Sequence, residues 1–569
     1  MILADVLRQQ LYDNGIHDLY TIPGDFILPW LNALESALES ASAPQHRALR
    51  LIQLSHEPSA VYAADAAARW RNAPAAVMLT YGAGALNAVN AIAQAYMEYV
   101  PLLVFAGYPS AQEVAGGLLL HHQVSDLDAQ RRVLAEVTCG QCRLDDPATA
   151  AQQLADMLQL AKTASRPVLV ELPRDMAQAQ LPTAPRAVAG RVADDNGHPV
   201  TVPVARQQLA TFCQALAGQV KRPCLLVGVK AKRFGFDQAA SELAQSTGMP
   251  ALTTLLGRGV LDISAPWYQG VYSGAKEDPA LPWLLQSDLL ICAGVIHSDS
   301  NFAAHPELLG GRAVLWVDEQ QSRLPDGQVL ALPAAQVLGA LQQVLAGSAR
   351  TVAAQSDTGN MQRPGVAPEE QTWRSDTLVA RLHQLLSQQT QIYPFVVDIG
   401  DCLFAALSAN PSMLLAPAFY ASMGFAVPAA LGLQLSSGLR PIVLVGDGAF
   451  QMTGLELGHC QRYGLNPIVI VLNNQSWGMI KAFAPDLAAT ALGGWQYAAL
   501  GRAMGCGASQ IWNAHQLDGA LADALADSKR PRIIEVMLPQ HSYSARLAGF
   551  SAAMCGSQPL QAAAGITAD

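Results

Sequence analysis

Charge is scarce in this chain. Asp, Glu, Lys and Arg make up 14% of its 569 residues, against about 25% in typical proteins. Positive charge is the scarcer sign: 35 Lys and Arg stand against 45 Asp and Glu, a formal net charge of −10 and a pI near 5.6. No basic run offers a surface for a polyanion, which excludes a nucleic-acid-binding role. Long apolar runs are also missing, although 51% of the residues are hydrophobic. They last five to eight residues before Gly, Pro or a polar residue interrupts them, well short of the 18 or so that read as a membrane span. Met1-Ile2-Leu3-Ala4-Asp5-Val6 lacks a basic region followed by an apolar core, so no export signal is expected and a cytoplasmic location is. Nine cysteines, an odd number scattered over a long chain, fit reduced thiols better than a disulfide framework. Cys139-Gly140-Gln141-Cys142 has redox or zinc spacing but no second pair beside it, and reads as two small residues near the end of a strand-like Glu136-Val137-Thr138.

What is present is alternation. Apolar runs such as Leu102-Leu103-Val104-Phe105, Val168 to Leu172, Cys224 to Val227 and Leu289 to Cys292 alternate with helical stretches, the pattern of parallel α/β domains. Two stretches rich in Pro, Gly and polar residues, Leu181 to Val204 and Gly347 to Glu370, read as linkers. The expectation is an α/β protein of three doubly wound parallel-sheet domains, at 1–182, 203–346 and 370–569. The low charge and large apolar share also suit extensive subunit contacts.

The most telling motif is Gly446-Asp447-Gly448 followed, after 24 intervening residues, by Asn473-Asn474. Pro441 to Val445 reads as a buried strand, Gln451 to Tyr463 as a helix and Pro467 to Leu472 as a second strand. A right-handed crossover would return the second strand parallel to the first and bring Asp447 and Asn474 to one edge. A carboxylate oxygen, an amide oxygen and a loop carbonyl there suit Mg²⁺ and a diphosphate.

Elsewhere, Leu51 to Leu54 runs into Ser55-His56-Glu57-Pro58 and an alanine-rich helix, which places Glu57 at a strand-to-helix junction. Thr80-Tyr81-Gly82-Ala83-Gly84 is a glycine turn before a helix. His121-His122 follows an apolar run; adjacent residues of a regular element point to opposite sides, so a metal site from this pair alone is not expected. Asp25 lies in the turn Pro23-Gly24-Asp25.

Together these motifs resemble the thiamine-diphosphate-dependent 2-oxo acid decarboxylases, over essentially the whole chain. The resemblance implies pyrimidine-binding, central and diphosphate-binding domains in that order, with thiamine diphosphate and Mg²⁺ as cofactors. It implies that Asp447, Asn474 and the Ser476 carbonyl hold the metal, and that Gly400, Asp401, Gly446, Gly448 and the backbone of Ala449 help bind the phosphates. Thr80 would border the cofactor, and Glu57 would bond the pyrimidine nitrogen. The Ala421 carbonyl would accept from the exocyclic amine, and Met423 would wedge the bent thiamine. Asp25, His121 and His122 match the family's proton-handling cluster, and a thiamine ylide would carry the decarboxylation to an aldehyde. Half-sites on separate subunits imply at least a homodimer, with a homotetramer expected.

One departure bears on the substrate. Pyruvate decarboxylases carry a glutamate six residues after the Asn pair, where this chain has Ile480. Phenylpyruvate-decarboxylase-like sequences depart similarly, so a large aromatic 2-oxo acid, phenylpyruvate or indole-3-pyruvate, is expected, with Met479, Ile480, Phe483 and Phe550 lining its pocket. Asp299, in Val295 to Phe302, matches a loop that reaches this pocket. The alternatives are a pyruvate or benzoylformate decarboxylase, an acetolactate-synthase-like carboligase, and a catalytically silent cofactor-binding protein.

Overall fold

A computed structural model describes residues 1–39, 49–182, 202–275, 278–346, 373–409 and 413–557. The linker-like stretch at 347–370 lies outside the described residues, as does most of the one at 181–204.

Three sheets follow one another along the chain. The first contains β1 (Asp18–Thr21), β2 (Arg50–Gln53), β3 (Ala75–Leu79), β4 (Leu102–Tyr108), β5 (Gln141–Arg143) and β6 (Val168–Pro173), in the order 2-1-3-4-6-5. All its pairings are parallel. The second contains β7 (Pro223–Val227), β8 (Ala251–Thr254), β9 (Tyr268–Tyr272), β10 (Leu289–Ala293), β11 (Ala313–Val317), β12 (Ser322–Arg323) and β13 (Val329–Leu330), in the order 13-12-11-10-7-8-9. The third contains β14 (Phe395–Val397), β15 (Leu414–Leu415), β16 (Ile442–Gly446), β17 (Ile468–Asn473), β18 (Gly507–Ile511) and β19 (Arg532–Met537), in the order 15-14-16-17-19-18, again wholly parallel.

These are the expected α/β layers, with three local differences. The central sheet is mixed: two-residue strands β12 and β13 form an antiparallel hairpin on its edge, with Gly327 at φ 89° in the turn between them. The helix after β16 starts at Asp447 itself and ends at Thr453, before a 3₁₀ stretch Gly454–His459, so the region expected as one helix from Gln451 is divided. Glu136 caps a helix, and the strand lies at Gln141–Arg143, with the second cysteine of the pair inside it.

The outer two sheets share a core. Helix Glu57–Arg71 packs on helix Ala426–Ser437 through alanines 60, 63, 64 and 67 on one side and 426, 429 and 430 on the other. The helices approach so closely that a Cβ on Gly432 would lie 2.0 Å from the Ala63 carbonyl oxygen. This contact fixes the first sheet on the third by dense packing of small side chains.

Candidate active site

In an open parallel sheet, ligands bind outside the carboxyl edge where the strand order reverses. In the third sheet that reversal falls between β14 and β16, and the residues following these strands are Asp398 to Asp401 and Asp447 to Ala449. Because Val445 pairs with Val471 and Gly446 with Leu472, Asn473 and Asn474 leave the sheet beside Asp447. Asp447 is 2% exposed, and burial raises its carboxyl to about 6 against the pull of the Gly448 N–H. Its Oδ1 accepts that N–H at 2.9 Å, while Oδ2 is buried with no hydrogen-bond partner. A buried carboxylate oxygen without a partner is costly, and a hard cation is the partner it suits.

The neighbouring donors are held in place. Asn474 Nδ2 donates to the Ser542 carbonyl at 2.6 Å, which turns the amide so that Oδ1 accepts the Ser476 N–H at 3.1 Å. Ser476 Oγ donates to the Thr490 carbonyl at 3.1 Å, leaving its own carbonyl to the loop, where it accepts from Gly478 at 2.8 Å. Trp477 lies over Gly448, and any Cβ there would stand 2.2 Å from the indole. Asp401 opens the short helix after Gly400, which adopts φ 95°, and its carboxylate is spoken for by Ser375 Oγ and the Ser544 N–H. Burial pushes it up despite these donors. The donor set therefore fits a metal at Asp447, whereas the Asp401 side chain serves the protein.

The segment before helix Ala426–Ser437 turns sharply at Ala421, a non-glycine at φ 67°, and again at Gly424, φ 82°. Asp398, fully buried, accepts the N–H groups of Gly424 at 3.1 Å, Ala426 at 2.8 Å and Ile399 at 3.0 Å. Desolvation nonetheless lifts its carboxyl to about 6. Ala421 is exposed while its neighbour Ser422 is buried, and Met423 packs half-buried against the shared core in a turn.

In the first sheet the reversal lies between β1 and β3, and the loops after β1, β2 and β3 carry Asp25, Glu57 and Thr80 to Gly84. Glu57 begins its helix, and its Oε2 accepts from Asn87 Nδ2 at 2.7 Å. The buried Thr80 Oγ1 has no hydrogen-bond partner. Gly82 adopts φ 58°, and a Cβ there would meet the His122 carbonyl oxygen at 2.0 Å, so the histidine loop closes over this turn. His121 Nε2 lies 2.7 Å from Asp25 Oδ2. His122 has φ 67°, and this left-handed residue brings both imidazoles together, with ring centroids 4.8 Å apart. The alternation expected of a regular element does not apply, and ligand atoms of Asp25, His121 and His122 all lie within 4.8 Å of one another.

Ile480 sits 50% exposed on helix Gly478–Phe483. Met479 and Phe483 pack partly buried on the core of the third sheet. Phe550 is 5% exposed, tilted on Phe404 at 4.9 Å and edge-on to Phe483 at 6.2 Å, so it is a core residue packed beside Phe483. A cavity of about 380 Å³ adjoins Phe483 and Tyr543. Asp299 is exposed at the start of the four-residue helix Asp299–Phe302. Next to it, the Ser300 carbonyl oxygen and the Phe550 ring would both flank a Cβ on Gly274, at 3.6 and 3.7 Å.

Sequence reasoning gave no role to Asn87, Asp398, Trp477 or Phe404. Asp398 had a readable signal, an acid closing the strand Phe395–Val397. The others had none, because each acts on a residue distant in sequence.

Comparison with known proteins agrees with this geometry. The chain matches the models of the thiamine pyrophosphate enzyme N-terminal binding domain over residues 1–131, the central domain over 209–346 and the C-terminal binding domain over 398–536. It is 37% identical to an indole-3-pyruvate decarboxylase of Azospirillum brasilense over 97% of this chain and 98% of that protein. It is 28% identical to an alpha-keto-acid decarboxylase of Mycolicibacterium paratuberculosis, over 95% and 94% of the two chains. With an unpaired buried carboxylate at one sheet edge and a carboxylate–histidine cluster at another, the chain belongs to the thiamine-diphosphate-dependent 2-oxo acid decarboxylases.

Proposed function

We propose that the substrate is a large aromatic 2-oxo acid, phenylpyruvate or indole-3-pyruvate, released as the aldehyde and CO2. The observation that carries this reading is Ile480: half-exposed beside Met479 and Phe483, it offers apolar contact where a carboxylate would offer a proton. The relative named for indole-3-pyruvate supports it. Incubating the protein with thiamine diphosphate, Mg²⁺ and a panel of 2-oxo acids, with aldehyde and acyloin products separated, tests it; acyloin as the main product would favour a carboligase.

When bound, thiamine diphosphate supplies the carbon nucleophile and then the electron sink for decarboxylation. Asp447, Asn474 and the Ser476 carbonyl would hold Mg²⁺ against its diphosphate, with Gly400, Gly446, Gly448 and the Ala449 backbone lining the phosphates and Thr80 bordering the cofactor. Asp401 acts indirectly, by fixing its helix against Ser375 and Ser544. Glu57, oriented by Asn87, would hold a proton at the pyrimidine nitrogen, the Ala421 carbonyl would accept from the exocyclic amine, and Met423 would support the bend. Asp25 and His121, 2.7 Å apart, would supply the proton that takes the place of CO2 on the substrate carbon, with His122 beside them. Asp299, exposed at the start of its short helix, would reach toward the entrance of the pocket.

The division into domains at 1–182, 203–346 and 370–569 belongs to the same reading, as does assembly into at least a dimer and, in full, a tetramer. Apolar side chains around both half-sites are open to solvent, including Leu118 and Leu119 at 77% each, Leu455 at 64% and Trp495 at 48%. Such patches call for a partner surface. Nine free cysteines support a cytoplasmic location, and among the described residues no helix is long and apolar enough to cross a membrane.

A further inference from the structure

Three ligating side chains converge over the carboxyl edge of the first sheet. Asp25 and His121 meet at 2.7 Å, Oδ2 to Nε2, and one ligand atom from each of Asp25, His121 and His122 lies within 4.8 Å of the other two. The cluster is held from behind. Phe26, wholly buried, stands beside both imidazoles, its ring centroid 5.0 Å from that of His121 and 6.0 Å from that of His122. Arg174 lies over the same ring, pairs with Glu113 and donates to the Asp25 carbonyl oxygen at 3.1 Å. The left-handed backbone of His122 is kept only where the surroundings hold it, and the close approach of Gly82 to its carbonyl is part of that hold.

Two imidazoles and a carboxylate form a ligand set with a preference. Zn²⁺ takes nitrogen and oxygen ligands together, whereas Mg²⁺ takes oxygen and keeps its water. Around a tetrahedral Zn²⁺, with bonds of about 2.0–2.2 Å, ligand atoms stand about 3.3–3.6 Å apart. The close pair therefore has to open and the widest separation has to close, each by roughly 1 Å. The side chains of His121 and Asp25 are 61% and 36% exposed, so side-chain rotation achieves this without moving the backbone. Three protein ligands leave a fourth position to water or to the carboxylate of a 2-oxo acid.

We propose that Asp25, His121 and His122 form an inhibitory site for a divalent transition ion of the zinc class, separate from the magnesium site at Asp447. The ion takes the place of the proton between His121 Nε2 and Asp25 Oδ2, and groups whose lone pairs are bound to metal have no proton to carry. The inhibition rests on the proton role given to this cluster above, whereas the binding rests on its geometry alone. The two metal sites differ in sheet and in ligand chemistry, so an excess of Mg²⁺ does not fill this one.

In the experiment, full-length protein loaded with thiamine diphosphate and excess Mg²⁺ is titrated with zinc chloride by calorimetry, and separately with Co²⁺, whose visible absorption marks a tetrahedral site. Turnover of phenylpyruvate is followed over the same range of zinc. The wild type is expected to bind one Zn²⁺ per chain, to lose turnover in step with its occupation, and to recover when a zinc chelator is added with Mg²⁺ still in excess. Asp25→Asn, His121→Ala and His122→Ala each remove a ligand. Loss of a partner behind a ligand already costs about 10–100-fold in metal affinity, so each variant should bind zinc about 100-fold more weakly or worse and lose the cobalt band. Their melting midpoints should stay those of the wild type. No zinc bound by the wild type would overturn the proposal, as would wild-type zinc affinity in His121→Ala and His122→Ala, which would put the ion on a thiol or at Asp447. Zinc bound with turnover intact would overturn the inhibition by removing the proton role of the cluster, a failure told apart from that of the site because the variants would still lose the ion.

Discussion

His121 Nε2 and Asp25 Oδ2 stand 2.7 Å apart, although 96 residues separate them and neither lies in a strand or α-helix. Both side chains are substantially exposed, at 61% and 36%, so the pair adds little to stability, about 0–1 kcal/mol for exposed ion pairs. Its value is chemical. Asp25→Asn is expected to lower kcat with an aromatic 2-oxo acid roughly 10²-fold or more, the usual contribution of a positioned acid or base. The melting midpoint should stay that of the wild type. Steady-state kinetics and a thermal scan on the same preparation check both halves.

Glu57→Gln should separate cofactor binding from its use. The side chain keeps its hydrogen bond with Asn87 and the metal residues lie on another sheet, so cofactor Kd should change little. Turnover should fall by roughly 10²–10⁴-fold. Titration with thiamine diphosphate beside single-turnover kinetics reads the split, and full activity would refute the role given to Glu57.

Stability should carry a pH signature from Asp398. Burial holds its carboxyl at about 6 in the folded protein, above the ordinary 3.8, so between these values the folded state binds the proton that the unfolded state has lost. Its contribution to stability is therefore greatest below about 4 and declines as pH rises through about 6. Asp398→Asn should lack this decline, so that the difference between wild type and variant measured without metal isolates it, and the variant should lose about 1–3 kcal/mol at pH 7 through its poorer match to three N–H donors. Denaturant titrations at pH 4.5 and pH 7 measure the slope.

Gly432→Ala tests the union of the first and third sheets. The added methyl would meet the Ala63 backbone carbonyl, which cannot rotate aside as a side chain could. The expected cost is about 1–3 kcal/mol, read as a lower denaturant midpoint, with the cofactor residues themselves unaltered.

How much of this could be read from the sequence depended on locality. A buried parallel strand is a short apolar run stopped by glycine or an acid, so the run ending at Gly446 and the one ending at Asn473 announced both the sheet edge and the residues on it. Glu57 was legible for the same reason, standing just past a strand run, and Asp25 through its Pro-Gly-Asp turn. The approach of the two imidazoles was not legible, because the positive φ of His122 leaves no mark in a non-glycine residue and takes the pair out of the alternation of a regular element. The helix start at Asp447 was displaced because Gly446, expected as a break, serves as the N-cap. Glu98, wholly buried after helix Val89–Met97 and accepting the N–H groups of Phe419 and Tyr420, was illegible: these partners lie 321 and 322 residues downstream, and nothing beside it in sequence distinguishes it from a surface acid.

The substrate claim rests on Ile480 and the apolar side chains around it, and the ratio of kcat/KM for indole-3-pyruvate or phenylpyruvate to that for pyruvate tests it most directly. One methylene in an apolar pocket discriminates by about 10–200-fold, so an aromatic ring that fills the space beside Ile480 and Phe483 should give a ratio of about 10² or more in favour of the aromatic acids. A ratio below one, with pyruvate the better substrate, would contradict the account.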